Sequence, residues 1–135
     1  MDPEQQSCPC GHVANLAGCC GRYLSGAELA PTPEALMRSR YTAFAIGSAQ
    51  AIDYLVATQH PAHRAPDLRP ALEANTAQID GWERLEVRSA TEVGDRGVVE
   101  FVATYRVGSE RGELHERSDF LREDGRWYYT TGVVR

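Results

Sequence analysis

Four cysteines, Cys8, Cys10, Cys19 and Cys20, fall within thirteen residues near the start of the chain, and none follows. A disulfide framework spreads its cysteines to join distant segments; these four can close only one short loop. Cys8 and Cys10 are too near to bridge easily, and a Cys19–Cys20 bond would strain the peptide between them. Clustered thiols with glycine at 11, 18 and 21 point instead to a metal site. Zinc is the metal such a set favours, since thiolates are its soft partners and four of them complete a tetrahedron. A filled tetrahedron has no open position for water, so the zinc is expected to be structural. His12 is the alternative ligand, able to stand in for Cys19 or Cys20. The rest of the chain is left without a cysteine nucleophile.

Downstream, the pattern changes twice. Residues 1–7 are polar and expected to fray, and 22–31 read as a connector. Helical signals begin at Thr32, a good cap, with Pro33 suited to the first helical position. Leu36, Met37, Tyr41 and Phe44 then recur at helical spacing, with Arg38 and Arg40 read as off that stripe. Gly47 ends this helix and Ser48 caps a second, with Ile52, Leu55, Val56 and Gln59 on its face. Pro61, Pro66 and Pro70 mark a loop, and 71–79 suggest a short third helix. From Trp82 the period becomes that of strands: 83–93, 98–107, 113–123 and 126–134, separated by turns at Gly94–Gly97, Gly108–Gly112 and Asp124–Gly125.

Helices followed by a strand meander give an α+β fold with about three helices on one face of a curved four-stranded antiparallel sheet. Strands near ten residues exceed the usual length, so bending is expected. Such a curved sheet closed by helices is a cone with an internal cavity. The expected division is a knuckle and connector over residues 1–31 and an α+β domain over 32–135.

Composition removes several functions. The 42% hydrophobic content suffices for a core at 135 residues. All 14 basic residues are arginine, against 19 acidic ones, for a net charge of −5. Without lysine there is no P-loop lysine, no Schiff base and no pyridoxal-phosphate anchor. The acidic balance argues against phosphate-backbone binding, so nucleic acid is not an expected partner. No apolar run approaches the length of a membrane span, and the acidic start does not resemble a signal peptide, so a cytoplasmic location is expected. Nucleophile-elbow, zinc-protease and dinucleotide motifs are missing.

The string CPCG, eight residues, then CCG resembles the SEC-C motif, the zinc knuckle at the end of the protein-translocation ATPase. The stretches CCGRYLSGAELAPTPEALMRSRYTAFAIG, DYLVATQHP and HERSDFLREDGRWYYTTG resemble the YchJ-like family of bacterial proteins. The resemblance runs over nearly the whole chain from Cys8. It implies a nuclear-transport-factor-2-like cone and carries no established activity. The loop HVANLAG departs from the translocation motif, which has lysines there, so a contact relying on a basic knuckle is not expected.

Within the cone, alternation along 113–123 puts Leu114, Glu116, Ser118 and Phe120 on one face. The apolar pair marks that face as inner, so Glu116 and Ser118 are expected to point inward. Arg38 or Tyr41 is expected to approach them from the first long helix. Glu116 can serve as a general base or bind a cation, or it can be closed in a structural pair with an arginine. His60 reads as a cap before Pro61, His63 and His115 as solvated, and Trp82 and Trp127 as core or rim. The leading functional expectation is a non-enzymatic module: a zinc knuckle that docks a protein partner, and a cone holding a small ligand. The alternative is a small-molecule enzyme of isomerase or dehydratase type that transfers a proton in the pocket.

Overall fold

The computed structural model describes residues 6–135. The expected fraying of residues 1–7 lies for 1–5 outside the described residues. Positions 6 and 7 are tied down: the Leu16 N–H donates to Gln6 O at 2.7 Å, and Ser7 bridges Asn15. The connector is not featureless either, because one helical turn, α1 (Gly21–Leu24), follows the cysteines.

Helix α2 (Pro33–Ile46) starts where its cap dictates, with Thr32 Oγ1 accepting the Ala35 N–H at 3.0 Å and proline at the first helical position. Gly47 ends it at φ 67, the left-handed conformation that glycine adopts without a Cβ penalty. Ser48 then caps α3 (Ala49–Thr58) by accepting the Ala51 N–H. A 3-10 turn spans Pro61–His63, and α4 runs Leu68–Gln78. The third long helix therefore begins before residue 71 and contains Pro70. Proline is tolerated there because N–H groups of a first turn have no helical acceptor to lose.

Strands β1 (Gly81–Val93), β2 (Arg96–Val107), β3 (Glu110–Glu123) and β4 (Arg126–Val134) form one antiparallel sheet in the order β1-β2-β3-β4. Each of the first three starts two or three residues ahead of the expected point. Register shifts at Trp82/Arg84 and Val87/Ser89 bend β1, and one at Asp119/Phe120 bends the β3–β4 pairing.

The helices cover one face of this bent sheet. Leu36, Met37 and Tyr41 of α2 pack against Val99, Phe101, Ala103, Phe120 and Trp127. A second cluster of Ala43, Ile52, Leu55 and Leu72 joins α2, α3 and α4. Leu36, Leu55 and Val99 are at most 2% exposed, and each such side chain contributes about 1.5–3 kcal/mol of burial free energy. Arg40 is not off the apolar stripe. It follows Leu36 by four residues and Met37 by three, shares their helix face, and is 7% exposed.

Candidate metal centre and cavity

The cysteines are gathered by a small hairpin and a helix entry. The Cys8 N–H donates to Ala14 O at 2.9 Å, which folds Cys8 and Cys10 over the turn that leads into α1. Cys19 and Cys20 precede that helix, and Leu16 and Leu24 pack against the cluster. All four sulfurs are buried and lie within 4.8 Å of one another, with Cys10 Sγ and Cys19 Sγ 3.5 Å apart. A tetrahedral ion with thiolates at 2.3 Å separates its sulfurs by about 3.8 Å, so the spacing fits a soft divalent ion. Crowding shifts three of these thiols in opposite directions. Thiol hydrogen bonds from Cys10 and Cys20, with their backbone N–H groups, hold Cys8 far below the usual thiol range. The same crowding pushes Cys20 up, and burial with Cys10 and Cys8 pushes Cys19 up to about 12. Thiols this crowded resist ionising together, and a cation among them would hold all four as thiolates. His12 is exposed, its Nδ1 3.8 Å from Cys19 Sγ, a neighbour of that sulfur at the rim of the cluster.

This knuckle is seated on α2. Arg38 Nη1 donates to Cys10 O at 2.8 Å, and its Nε donates to Glu34 at 2.9 Å, one helical turn back. Thr42 Oγ1 lies 3.8 Å from Cys8 Sγ. Arg38 thus turns away from Glu116, contrary to the expectation of a pocket arginine at that position. The physical reason is angular: it leaves α2 on the side of Glu34, two residues from the cavity face that carries Arg40 and Tyr41.

On that other face a cavity of about 920 Å³ lies between α2, α4 and the sheet. Phe44, Leu72, Trp82, Phe101, Leu114 and Phe120 supply apolar wall. Polar groups converge on one side: Arg40, Tyr41, Glu116, Ser118 and Tyr129. Register aligns them, since Phe101 pairs Glu116 and Val99 pairs Ser118 on the inner face. Ser118 Oγ donates to Glu116 Oε2 at 2.6 Å. Among the described residues no arginine lies within ion-pair distance of Glu116, so it is not closed in a salt bridge.

Tyr129 is the polar residue that sequence reasoning missed. Strand parity puts Tyr129 and Gly132 on opposite faces, three residues apart. The β4 register shift places one extra residue between them: Phe120 pairs Tyr129 and Ser118 pairs Gly132, so both face inward. Thr130 Oγ1 secures this stretch by donating to Asp119 O at 3.0 Å. A Cβ at Gly132 would overlap the Glu116 carboxylate and come within 2.7 Å of the Tyr129 hydroxyl, so glycine leaves the space that both occupy. The Arg40 guanidinium stacks on the Tyr129 ring at 4.6 Å. Burial, with Glu116 close by, pushes the Tyr129 phenol up to about 12, and burial also raises Tyr41 to about 12. Desolvation holds Arg40 down to about 10.

The remaining candidates scatter. Trp82 lines the cavity, edge-on to Tyr41 and Tyr105, while Trp127 is core. His60 caps the 3-10 turn by accepting the Ala62 N–H and also meets Glu123 across the fold. His115 is not free in solvent: its Nε2 lies 2.7 Å from Glu100 on the neighbouring strand. His63 is exposed. No helix among the described residues is long and apolar enough to cross a membrane.

Comparison with known proteins places this arrangement among relatives. Residues 32–132 match the family model of the YchJ middle NTF2-like domain. The chain is 49% identical over 129 residues to a UPF0225 protein of Chromobacterium violaceum, covering 95% of this chain and 93% of that protein. The solution structure of a SEC-C motif containing protein from Rhodopseudomonas palustris is similar at a TM-score of 0.85 and 39% identity, over 95% of this chain and 98% of that one. A crystal structure of a SEC-C motif containing protein from Psychrobacter arcticus is similar at 0.81 and 27%, over 100% and 86%.

Proposed function

This chain belongs to the YchJ-like family, in which a SEC-C motif accompanies an NTF2-like domain, and from that premise we propose that it is a non-enzymatic small-ligand-binding module with a structural zinc. The carrying observation is the cavity of about 920 Å³, apolar over most of its wall with polar groups converging on one side. Cys8, Cys10, Cys19 and Cys20 would hold one Zn²⁺ and fix the knuckle against α2. Bound there, the ion neutralises the thiolates and is closed to water. His12 remains outside the ligand set. Such thiols stay reduced in a cytoplasm, where we place the protein. Val13, fully exposed at the hairpin tip, is the apolar point at which a protein partner would meet the knuckle.

The test is binding of a neutral apolar fluorophore, N-phenyl-1-naphthylamine, to protein carrying one zinc per chain by elemental analysis. Saturable one-site binding with quenching of Trp82 emission is expected. Absence of saturable binding would end the ligand reading, and zinc far below one per chain would end the metal reading.

One observation favours a second reading. Glu116 accepts from Ser118 beside the Tyr129 phenol, which stays protonated at neutral pH, so a carboxylate acceptor and a phenol donor share one wall. Proton transfer on a bound carbonyl compound would use this pair. Deuterium exchange at the carbon next to the carbonyl of a bound ketone, abolished in Glu116→Gln with binding retained, would favour that reading over a passive module.

A further inference from the structure

Arg40 carries a buried charge without an ion-pair partner among the described residues. Its side chain is more than nine-tenths buried. A buried ion without a partner is costly, and proteins normally supply one. The known contacts of Arg40 use only part of the fork. Nη1 donates to Leu55 O at 2.8 Å and to Thr58 Oγ1 at 2.7 Å, and the flat face stacks on Tyr129. A guanidinium has five N–H donors in one plane, and among the described residues its Nε and Nη2 donors have no protein acceptor. They are not sealed in the packing. Among the described residues the one side-chain polar atom buried without a partner is Trp127 Nε1. Arg40 itself lines the cavity.

We infer that the cavity takes an apolar carboxylic acid, whose carboxylate completes the Arg40 fork and whose body lies against the aromatic wall. A planar fork with two adjacent free nitrogen edges matches the two oxygens of a carboxylate better than any neutral acceptor. Leu55 O and Thr58 Oγ1 hold the guanidinium from behind, so the fork is set before the ligand arrives. Trp82, Phe101 and Phe120 provide the apolar contact. Glu116 shares the cavity and its charge reaches Arg40, but it makes no ion pair with the fork. It stands at the hydroxyl end of Tyr129, whereas Arg40 lies over the ring face. This inference rests on the ligand-binding reading above and adds the class of ligand to it.

Three isosteric probes separate the two: 2-naphthylacetate, 2-naphthylacetamide and 2-naphthylethylammonium, titrated calorimetrically into the zinc-loaded full chain. The acid is expected to bind at least tenfold more tightly than the amide, with the ammonium weakest. In Arg40→Met the acid should fall to the level of the amide, and Arg40→Lys should recover part of the preference. If removal of Arg40 prevents folding, the order of the three probes on the unaltered protein still decides. Equal binding of acid and amide, or tighter binding of the ammonium, overturns this inference and leaves the cavity reading standing. Failure of all three probes to bind removes both.

Discussion

Gly132 is the residue where one added methyl group reports on the polar wall. In Gly132→Ala the Cβ meets the Glu116 carboxylate and the Tyr129 hydroxyl, and such overpacking costs about 1–3 kcal/mol. Denaturant unfolding should show that loss, together with weakened probe binding, because the two displaced groups line the cavity. The Tyr129 phenol gives a pH signature. An ordinary phenol ionises near pH 10, and this one is raised to about 12, chiefly by burial and then by Glu116. The unfolded chain therefore releases this proton first. Its contribution to stability is complete below about pH 10 and is lost as pH rises through about 12. Tyrosinate absorbance, compared between the native chain and Tyr129→Phe, should reveal one phenol titrating late; titration in the ordinary range would contradict its burial. At this scale the sequence was partly readable. Alternation along 113–123 identifies the strand face that carries Glu116 and Ser118, because period two admits no other grouping. Tyr129 was hidden, because the extra residue in β4 that turns it and Gly132 to one side leaves no mark in RWYYTTG. The Glu100–His115 and His60–Glu123 contacts were hidden too, since each depends on which strand or turn lies alongside.

Helix α2 is the element that joins the two sites. Arg38 leaves one side to hold Cys10 O, and Arg40 leaves another to line the cavity. Arg38→Ala should loosen the knuckle without disturbing the sheet. A hydrogen bond from a charged donor is worth about 1.5–3 kcal/mol, and that is the local loss expected at the knuckle. Thiol-reactive dye should then label the cysteines faster in the presence of chelator, while amide exchange of Val99 and Phe101 stays unchanged. Equal labelling rates would show that Arg38 does not hold the knuckle. The boundaries of α2 and α3 were legible because Thr32, Gly47 and Ser48 each satisfy a specific backbone need. The start of α4 was not, because Pro70 reads as a breaker until its place in a first turn is known. Reading both arginines as off the apolar stripe treated charge as a guide to exposure. Helical angle is the better guide, and it separates Arg38 from Arg40.

For the whole molecule, we expect the knuckle to be an attachment whose loss the cone survives. Helices α2 to α4 and the sheet contain both large apolar clusters, whereas the apolar neighbours of the cysteines are Leu16 and Leu24, with polar contacts to Arg38 and Thr42 of α2. A chain lacking residues 1–21 should keep its circular dichroism and a cooperative melt, and chelation of the full chain should unfold the knuckle first. Cooperative collapse of the whole chain on chelation would mean that the metal supports the cone as well. The central claim is that the interior is a binding site with a cation on its wall. Methyl-resolved NMR of the zinc-loaded chain during titration with 2-naphthylacetate tests it most directly. The account expects saturable shifts at Met37, Leu72, Ala103 and Leu114, which line the cavity, and none at Val13 or Val93, which are exposed elsewhere. Shifts confined to exposed methyls, or no saturation at the interior ones, would contradict it.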